Sequence, residues 1–418
     1  MPSSHRVRQS VVFLSSSLLA GLVSSSFGLD YRGYDHSFQA RQPARVQQAG
    51  RQAGQLPQAD FEALKKRAEA ARDAENLAEA ITHYKQLVKL KPRWAEGWWY
   101  LGTLHYDLDQ YAAAVPTFKE FVGLEPQNGQ GWVMLGLCEY RVEELAAALH
   151  HLAKGRSLGL GGNDELARVA RYHQAVLLTR GQQFEAAIQI LNGFGVEHRE
   201  SSAVLDALGL AVLRIAEPLE KLNTDEQVMV RGFGKAAFLA AERKSLESRR
   251  AFETLLSRYG GRPNVAYALG SFLLTAKDPD AALQYFQQEL QRDAEHVAAL
   301  LQVSLRLVDL GKYDEALPYA LKAKKLDDQN FVADYVLGRI YLELKEVAKA
   351  IEILEAATKA FPQVPSLQFV LARAYARAQR PADAARARAE FTRLEALVSQ
   401  QQEAALLESA QPVDATSE

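Results

Sequence analysis

Between residues 61 and 397, apolar positions fall at helical spacing in helix-length stretches separated by turn signals, and runs alternating with period two are missing. The pattern predicts an all-α chain. It also repeats itself every 34 residues. Trp98 recurs as Trp132, Leu101-Gly102 as Leu135-Gly136, Ala114 as Ala148, and Pro92 as Pro126. Further on, Leu269-Gly270 recurs as Val303-Ser304, Leu337-Gly338 and Leu371-Ala372. Ala282, Ala316, Ala350 and Ala384 keep the same interval, as do Leu273, Leu307, Tyr341 and Tyr375.

Each residue type has a reason to recur. Small side chains at Gly102 and Ala114 let two helices approach closely, while Trp98, Leu101 and Phe118 fill the space between hairpins. Proline stops a helix because it lacks the N–H and clashes with the preceding turn. One hairpin cannot bury both of its faces, so neighbours must stack.

These residues resemble the tetratricopeptide repeat family over roughly 61–397. Trp98, Leu101, Gly102, Ala114, Phe118 and Pro126 match one unit, and Gly311-Lys-Tyr313-Asp-Glu-Ala316 matches the family's inter-helix turn and the entry to its second helix. The resemblance implies a right-handed superhelical solenoid of tandem helix-turn-helix repeats.

Nine units are expected, starting near 61, 95, 129, 164, 202, 263, 297, 331 and 365. They group as three regular N-terminal units (61–162), divergent units (163–262) and four C-terminal units (263–397). Gly155 to Gly162 is expected to loosen the junction after the third unit. The fifth is expected to carry a helical insertion, 218–243, between its two helices, with Thr224 and Gln227 as a capping box. Met229, Phe233, Ala237 and Ala240 give that helix an apolar stripe, weakened by Gly232 and Gly234.

The ends read differently. His5, Arg6 and Arg8 precede the apolar stretch Val11–Val23, and Ser26-Phe27-Gly28 supplies small residues for cleavage before Leu29, so residues 1–28 read as a signal peptide. An uncleaved anchor is the alternative. Residues 29–59 lack apolar periodicity and read as a disordered linker, and 398–418 read as a frayed helix followed by an acidic tail. The expected location is periplasmic or secreted, with no stable membrane span after cleavage.

Composition narrows the function. Lys+Arg (49) and Asp+Glu (51) nearly cancel, which gives no electrostatic reason for nucleic acid. Cys138 is the single cysteine, so an intramolecular disulfide and a Cys-rich zinc site are excluded, and it reads as buried and inert. His150 and His151 are adjacent and cannot chelate one ion together on a helix; no metal or cofactor is expected. The Gly155–Gly162 stretch lacks the Lys-Ser/Thr of a phosphate loop, and no nucleophile elbow occurs. No enzyme is expected.

What remains is a binding surface. The resemblance places on a concave face Trp99, Tyr106 and Asp107 of the second unit, and Tyr140 and Arg141 of the third. Asn264 and Tyr267 come from the sixth, Tyr335, Arg339 and Glu343 from the eighth, and Phe369, Arg373 and Arg377 from the ninth. Aromatic and arginine side chains supply recognition energy at interfaces. Arg339 and Arg373 occupy equivalent positions and are expected to stack along one wall that receives a carboxylate, unless Glu343 neutralises Arg339. The Lys/Asn clamp of the chaperone-binding subset of the family is not reproduced. The expected function is an exported scaffold or adaptor that binds extended peptides or protein partners. The alternatives are an accessory subunit of an envelope polysaccharide or pilus assembly machine and, remotely, a hydrolase.

Overall fold

The structure is a computed structural model that describes residues 58–409; the expected signal peptide, the expected linker up to residue 57 and the chain end 410–418 lie outside the described residues. Among the described residues there are nineteen α-helices, one 3-10 turn and no strand. No helix among them is long and apolar enough to cross a membrane. Backbone packing divides them into two compact units: one runs up to Leu191 and includes Ile215–Asn223, the other comprises Asn192–Arg214 and the chain from Thr224 on.

In the first unit, antiparallel hairpins follow one another: α1 (Gln58–Asp73) with α2 (Leu77–Leu90), α3 (Ala95–Asp107) with α4 (Tyr111–Leu124), and α5 (Gly129–Arg141) with α6 (Leu145–Ser157). Then come α7 (Asp164–Arg180) and the start of α8 (Phe184–Val196). The apolar stripe of each helix is buried against its sequence neighbours, giving one cluster around Tyr84, Leu87, Leu101 and Leu104 and a second around Phe118, Leu135, Cys138 and Leu152. Cys138 is buried as expected, and that burial pushes its thiol far up. Gly155, expected to loosen a junction, does the opposite. A Cβ there would stand 2.6 Å from the Gly129 carbonyl oxygen, so α5 and α6 cross backbone to backbone. The left-handed glycines Gly159, Gly161 and Gly162 follow only after α6 has ended.

The second unit contains α9 (Ser202–Val212), α10 (Thr224–Ala241) and α11 (Ser245–Tyr259). Four hairpins follow: α12 (Val265–Thr275) with α13 (Pro279–Arg292), α14 (Val297–Asp309) with α15 (Tyr313–Leu326), α16 (Phe331–Glu343) with α17 (Val347–Ala360), and α18 (Pro365–Arg377) with α19 (Pro381–Ser409). The last helix therefore continues well past residue 398.

The helix expected within 218–243 exists as α10, yet it does not interrupt a repeat. It pairs with α11 as a hairpin that keeps the 34-residue phase of the C-terminal units, and α9 is the helix out of phase. Ser248 shows this directly. Its hydroxyl donates to the Ala236 carbonyl at 2.7 Å, the same crossing at which Ser304 donates to Ala316 at 3.0 Å. The glycines are again contact points. A Cβ on Gly234 would lie 1.8 Å from the Leu205 carbonyl oxygen, and one on Gly209 would lie 1.9 Å from that of Val230. Gly234 is thus what lets α10 seat on α9.

Each hairpin turns on one left-handed residue. Glu75, Asp109 and Glu143 in the first unit, and Arg243, Lys277, Gly311, Lys345 and Gln379 in the second, all have φ between 55° and 74°. The next residue donates back five positions, as Asp278 does to Leu273 at 2.9 Å and Glu346 to Tyr341 at 2.8 Å, satisfying carbonyls the ending helix leaves open. Only Gly311 carries the residue for which that conformation is free of strain.

Candidate functional site

Within each unit, taken by itself, the last turns of the first helices carry a group of side chains that meet one another. In the second unit the group is an ion-pair ladder. Asp309, at the end of α14, receives Arg306 of its own helix at 3.0 Å and Arg339 of α16 at 3.1 Å. One repeat later, Glu343 receives Arg373 of α18 at 3.0 Å and Arg377 at 3.1 Å. Arg377 also donates to the Leu342 carbonyl.

The spacing explains the ladder. A carboxylate at the end of one first helix sits level with the arginine four residues before the end of the next, and the 34-residue repeat reproduces the match. At the next equivalent position the chain has Arg377 instead of an acid. Four guanidinium groups therefore share two carboxylates.

Arg339 and Arg373 lie in the equivalent places expected of them. Glu343 is engaged by Arg373 and Arg377, while Arg339 is held by Asp309, which the sequence reading did not single out. The Arg339 guanidinium lies 5.6 Å from the centroid of the Tyr335 ring, but Tyr335 itself is buried. Phe369 is 43% exposed, its ring 5.4 Å from that of Phe391.

Tyr267 is buried between Phe286 and His296. Asn264 is left-handed and caps α12. Its amide donates to Glu289 at 2.8 Å, as that of Tyr267 does at 3.2 Å, and its side-chain oxygen meets His296 Nε2 at 2.7 Å. The buried Glu289 carboxylate thus holds an otherwise open helix N-terminus. Asn264 and Tyr267 build the fold here; they do not present themselves to a ligand.

In the first unit the expected residues separate in the same way. Trp99 is core, with its ring 5.1 Å from Phe121 and 5.9 Å edge-on to Phe118. Tyr106 is half-buried, edge-on to Tyr111 at 5.5 Å, and burial, with Tyr111 adding to it, pushes its phenol up. Arg141 lies over the Tyr111 ring at 4.7 Å and donates to its hydroxyl at 3.0 Å. Asp107 is exposed.

Tyr140 is nearly buried, with His173 against its ring at 4.7 Å and the Arg180 guanidinium 5.9 Å from its centroid. Burial pushes the Tyr140 phenol up, opposed by Arg180 and then Arg141. Burial, and after it the charge of Arg141, holds the His173 imidazole down at about 4.

Sequence reasoning missed His173 and Arg180. Both belong to α7, which has 17 residues where the neighbouring first helices have 13, and Arg180 sits in the extra turn. That length was the available signal.

Among the described residues no three His, Cys, Asp or Glu side chains gather as a metal site would require. His151 bonds Glu139 at 2.6 Å and stacks on Trp132 at 5.1 Å.

The tetratricopeptide repeat family model matches residues 65–128, 101–155, 237–297, 304–365 and 335–390, more than half of the chain. The match beginning at 237 takes in the α10–α11 turn and α11, in keeping with their phase. The human tetratricopeptide repeat protein 21A is 27% identical over 108 residues, 26% of this chain and 8% of that protein. This chain thus spans less than a tenth of that relative's length.

Similar solved structures include MamA from residue 41 to its end, from Desulfovibrio magneticus RS-1, at 20% identity, covering 40% of this chain and 94% of that one with a TM-score of 0.37. YrrB, described as a TPR protein with an unusual peptide-binding site, is 17% identical, covers 44% and 98%, and has a TM-score of 0.36. The APC/C hetero-tetramer Cut9-Hcn1 is 11% identical, covers 86% and 95%, and also has a TM-score of 0.36.

Proposed function

The chain belongs to the tetratricopeptide repeat family, and from that premise we propose that it is an exported, non-enzymatic adaptor that holds an extended acidic segment of a protein partner against the arginine ladder of its C-terminal repeats. A helical-repeat scaffold for protein–protein interaction is what the family supplies. The acidic character of the guest rests on one observation: among the described residues, Arg306, Arg339, Arg373 and Arg377 share the two carboxylates of Asp309 and Glu343. A guest carboxylate completes pairs that the protein leaves half-made, and charge-assisted hydrogen bonds are the stronger kind. The exposed Phe369 ring beside the ladder offers apolar contact to the same segment. Export is supported by the basic start, the apolar stretch Val11–Val23 and the small residues before Leu29.

The test compares wild type with the double variant Arg339→Ala/Arg373→Ala, using anisotropy of a labelled, extended acidic peptide at low and high salt. Both arginines make surface ion pairs to the preceding hairpin, worth about 0.2–1 kcal/mol each, so the variant keeps its helical content. Binding weakens roughly tenfold and becomes less dependent on salt. Equal affinities reject the ladder as the site. N-terminal sequencing of protein recovered from the producing cells begins at or within a few residues of Leu29; full-length protein in the cytoplasm rejects export.

A further inference from the structure

Arg180 is 8% exposed, and its Nη1 is buried with no hydrogen-bond partner among the described residues. That is unusual for a guanidinium. A buried cation loses its hydration and ordinarily recovers the loss from an anion. Other arginines near the ends of the first helices have partners: Arg306 and Arg339 reach the Asp309 carboxylate, Arg373 and Arg377 reach that of Glu343, and Arg141 reaches the neutral Tyr111 hydroxyl.

A second unsatisfied group lies against the same aromatic ring. His173 Nδ1 is buried without a partner, and both its imidazole, at 4.7 Å, and the Arg180 guanidinium, at 5.9 Å, lie against the Tyr140 ring. The imidazole is neutral at neutral pH, since burial holds it down at about 4, so one of its two ring nitrogens donates and it adds no further charge. Glu220 acts on the same Tyr140 phenol without an ion pair to Arg180, so one buried cation and one buried donor lie against a single phenol ring with no anion paired to them among the described residues.

We infer that Arg180, His173 and Tyr140 form a receptor for one carboxylate group, presented by an acidic side chain of a bound polypeptide and distinct from the C-terminal arginine ladder. A carboxylate suits these donors by its chemistry: it is planar, offers two oxygens, and accepts from both guanidinium and imidazole N–H groups. The Tyr140 and Tyr172 rings beside His173 supply apolar surface for the methylene stem of a glutamate. All of these residues belong to the first unit, and the inference stands whether or not the ladder binds anything.

The experiment uses the full chain carrying Arg339→Ala/Arg373→Ala, which leaves the ladder one arginine for each carboxylate, Arg306 with Asp309 and Arg377 with Glu343. The probe is acetylated, amidated and fluorescently labelled hexaglutamate, with hexaglutamine as control. Hexaglutamate binds, hexaglutamine does not, and adding Arg180→Met weakens hexaglutamate binding roughly tenfold or more. His173→Phe weakens it in the same direction.

Without probe, Arg180→Met raises the thermal midpoint by about 1–3 °C, because a buried unpaired charge gives way to an apolar chain of similar length. A structural arginine behaves oppositely. A lowered midpoint in Arg180→Met without probe, or equal hexaglutamate affinity with and without that change, overturns the inference. So does protection from heat by inorganic phosphate when hexaglutamate gives none. Arg180→Gln, read by the same anisotropy, serves if Arg180→Met loses its helical circular dichroism.

Discussion

Arg339 on α16 reaches across a repeat boundary to Asp309 on α14, 3.1 Å away. The pair does two jobs. It fixes the arginine in the equivalent place to Arg373 one repeat on, and it spends part of the positive charge that would otherwise face a guest. Surface pairs of this kind contribute about 0.2–1 kcal/mol each to stability. Asp309→Asn therefore lowers stability by no more than about 1 kcal/mol. It also tightens binding of an acidic peptide by about threefold at low salt, where screening is weakest. Urea unfolding and anisotropy measured on the same preparation check the two effects, and weaker binding in Asp309→Asn speaks against the ladder.

Ala350 on α17 is fully buried at the small position of its hairpin. Ala350→Leu forces a branched side chain into that crossing and costs about 1–3 kcal/mol. The thermal midpoint falls accordingly. An unchanged midpoint shows that the crossing lies elsewhere.

Lys345 turns its hairpin at φ 64° and is exposed. Left-handed backbone costs a side-chain-bearing residue about 1–2 kcal/mol, part of which glycine returns as greater freedom of the unfolded chain. Lys345→Gly is expected to stabilise by about 0.5–1 kcal/mol, read as a shift in the urea midpoint at constant slope. Gly311, at the equivalent turn, supplies the internal control: Gly311→Lys moves stability the other way.

His173 makes stability depend on pH. Its imidazole takes a proton at about 4 when folded and near the ordinary value of about 6.5 when unfolded. As pH falls below about 6.5 the unfolded chain gains the proton first, so stability drops and keeps dropping until the folded group titrates as well. Between pH 7 and pH 5 the loss amounts to about 2 kcal/mol. His105 and His296, both also held down by burial, act in the same direction. His173→Gln removes its share of the slope; an unchanged slope shows that another group carries it.

The recurrence of Leu-Gly, small and aromatic positions at 34 residues was enough to set the helices, their pairing and most of their boundaries, because that spacing records a local requirement repeated in every hairpin. Where the repeat stays in phase, Arg339 and Arg373 take equivalent partners one repeat apart, as equivalent positions require. The recurrence could not place α9 and α10. There the recurring alanine is replaced by Ser248, and Gly234 reads as a helix weakener until the Leu205 carbonyl is seen passing 1.8 Å from where its Cβ would stand. Nor could it separate surface from core among aromatics. Trp99, Tyr267 and Tyr335 share positions with groove residues, yet all three are buried, Trp99 against Phe121 and Tyr267 against Phe286, contacts set by the side chains that neighbouring helices happen to bring. Which carboxylate each arginine takes, and that Arg180 takes none among the described residues, depends on distances across helix boundaries that residue spacing along one helix does not contain.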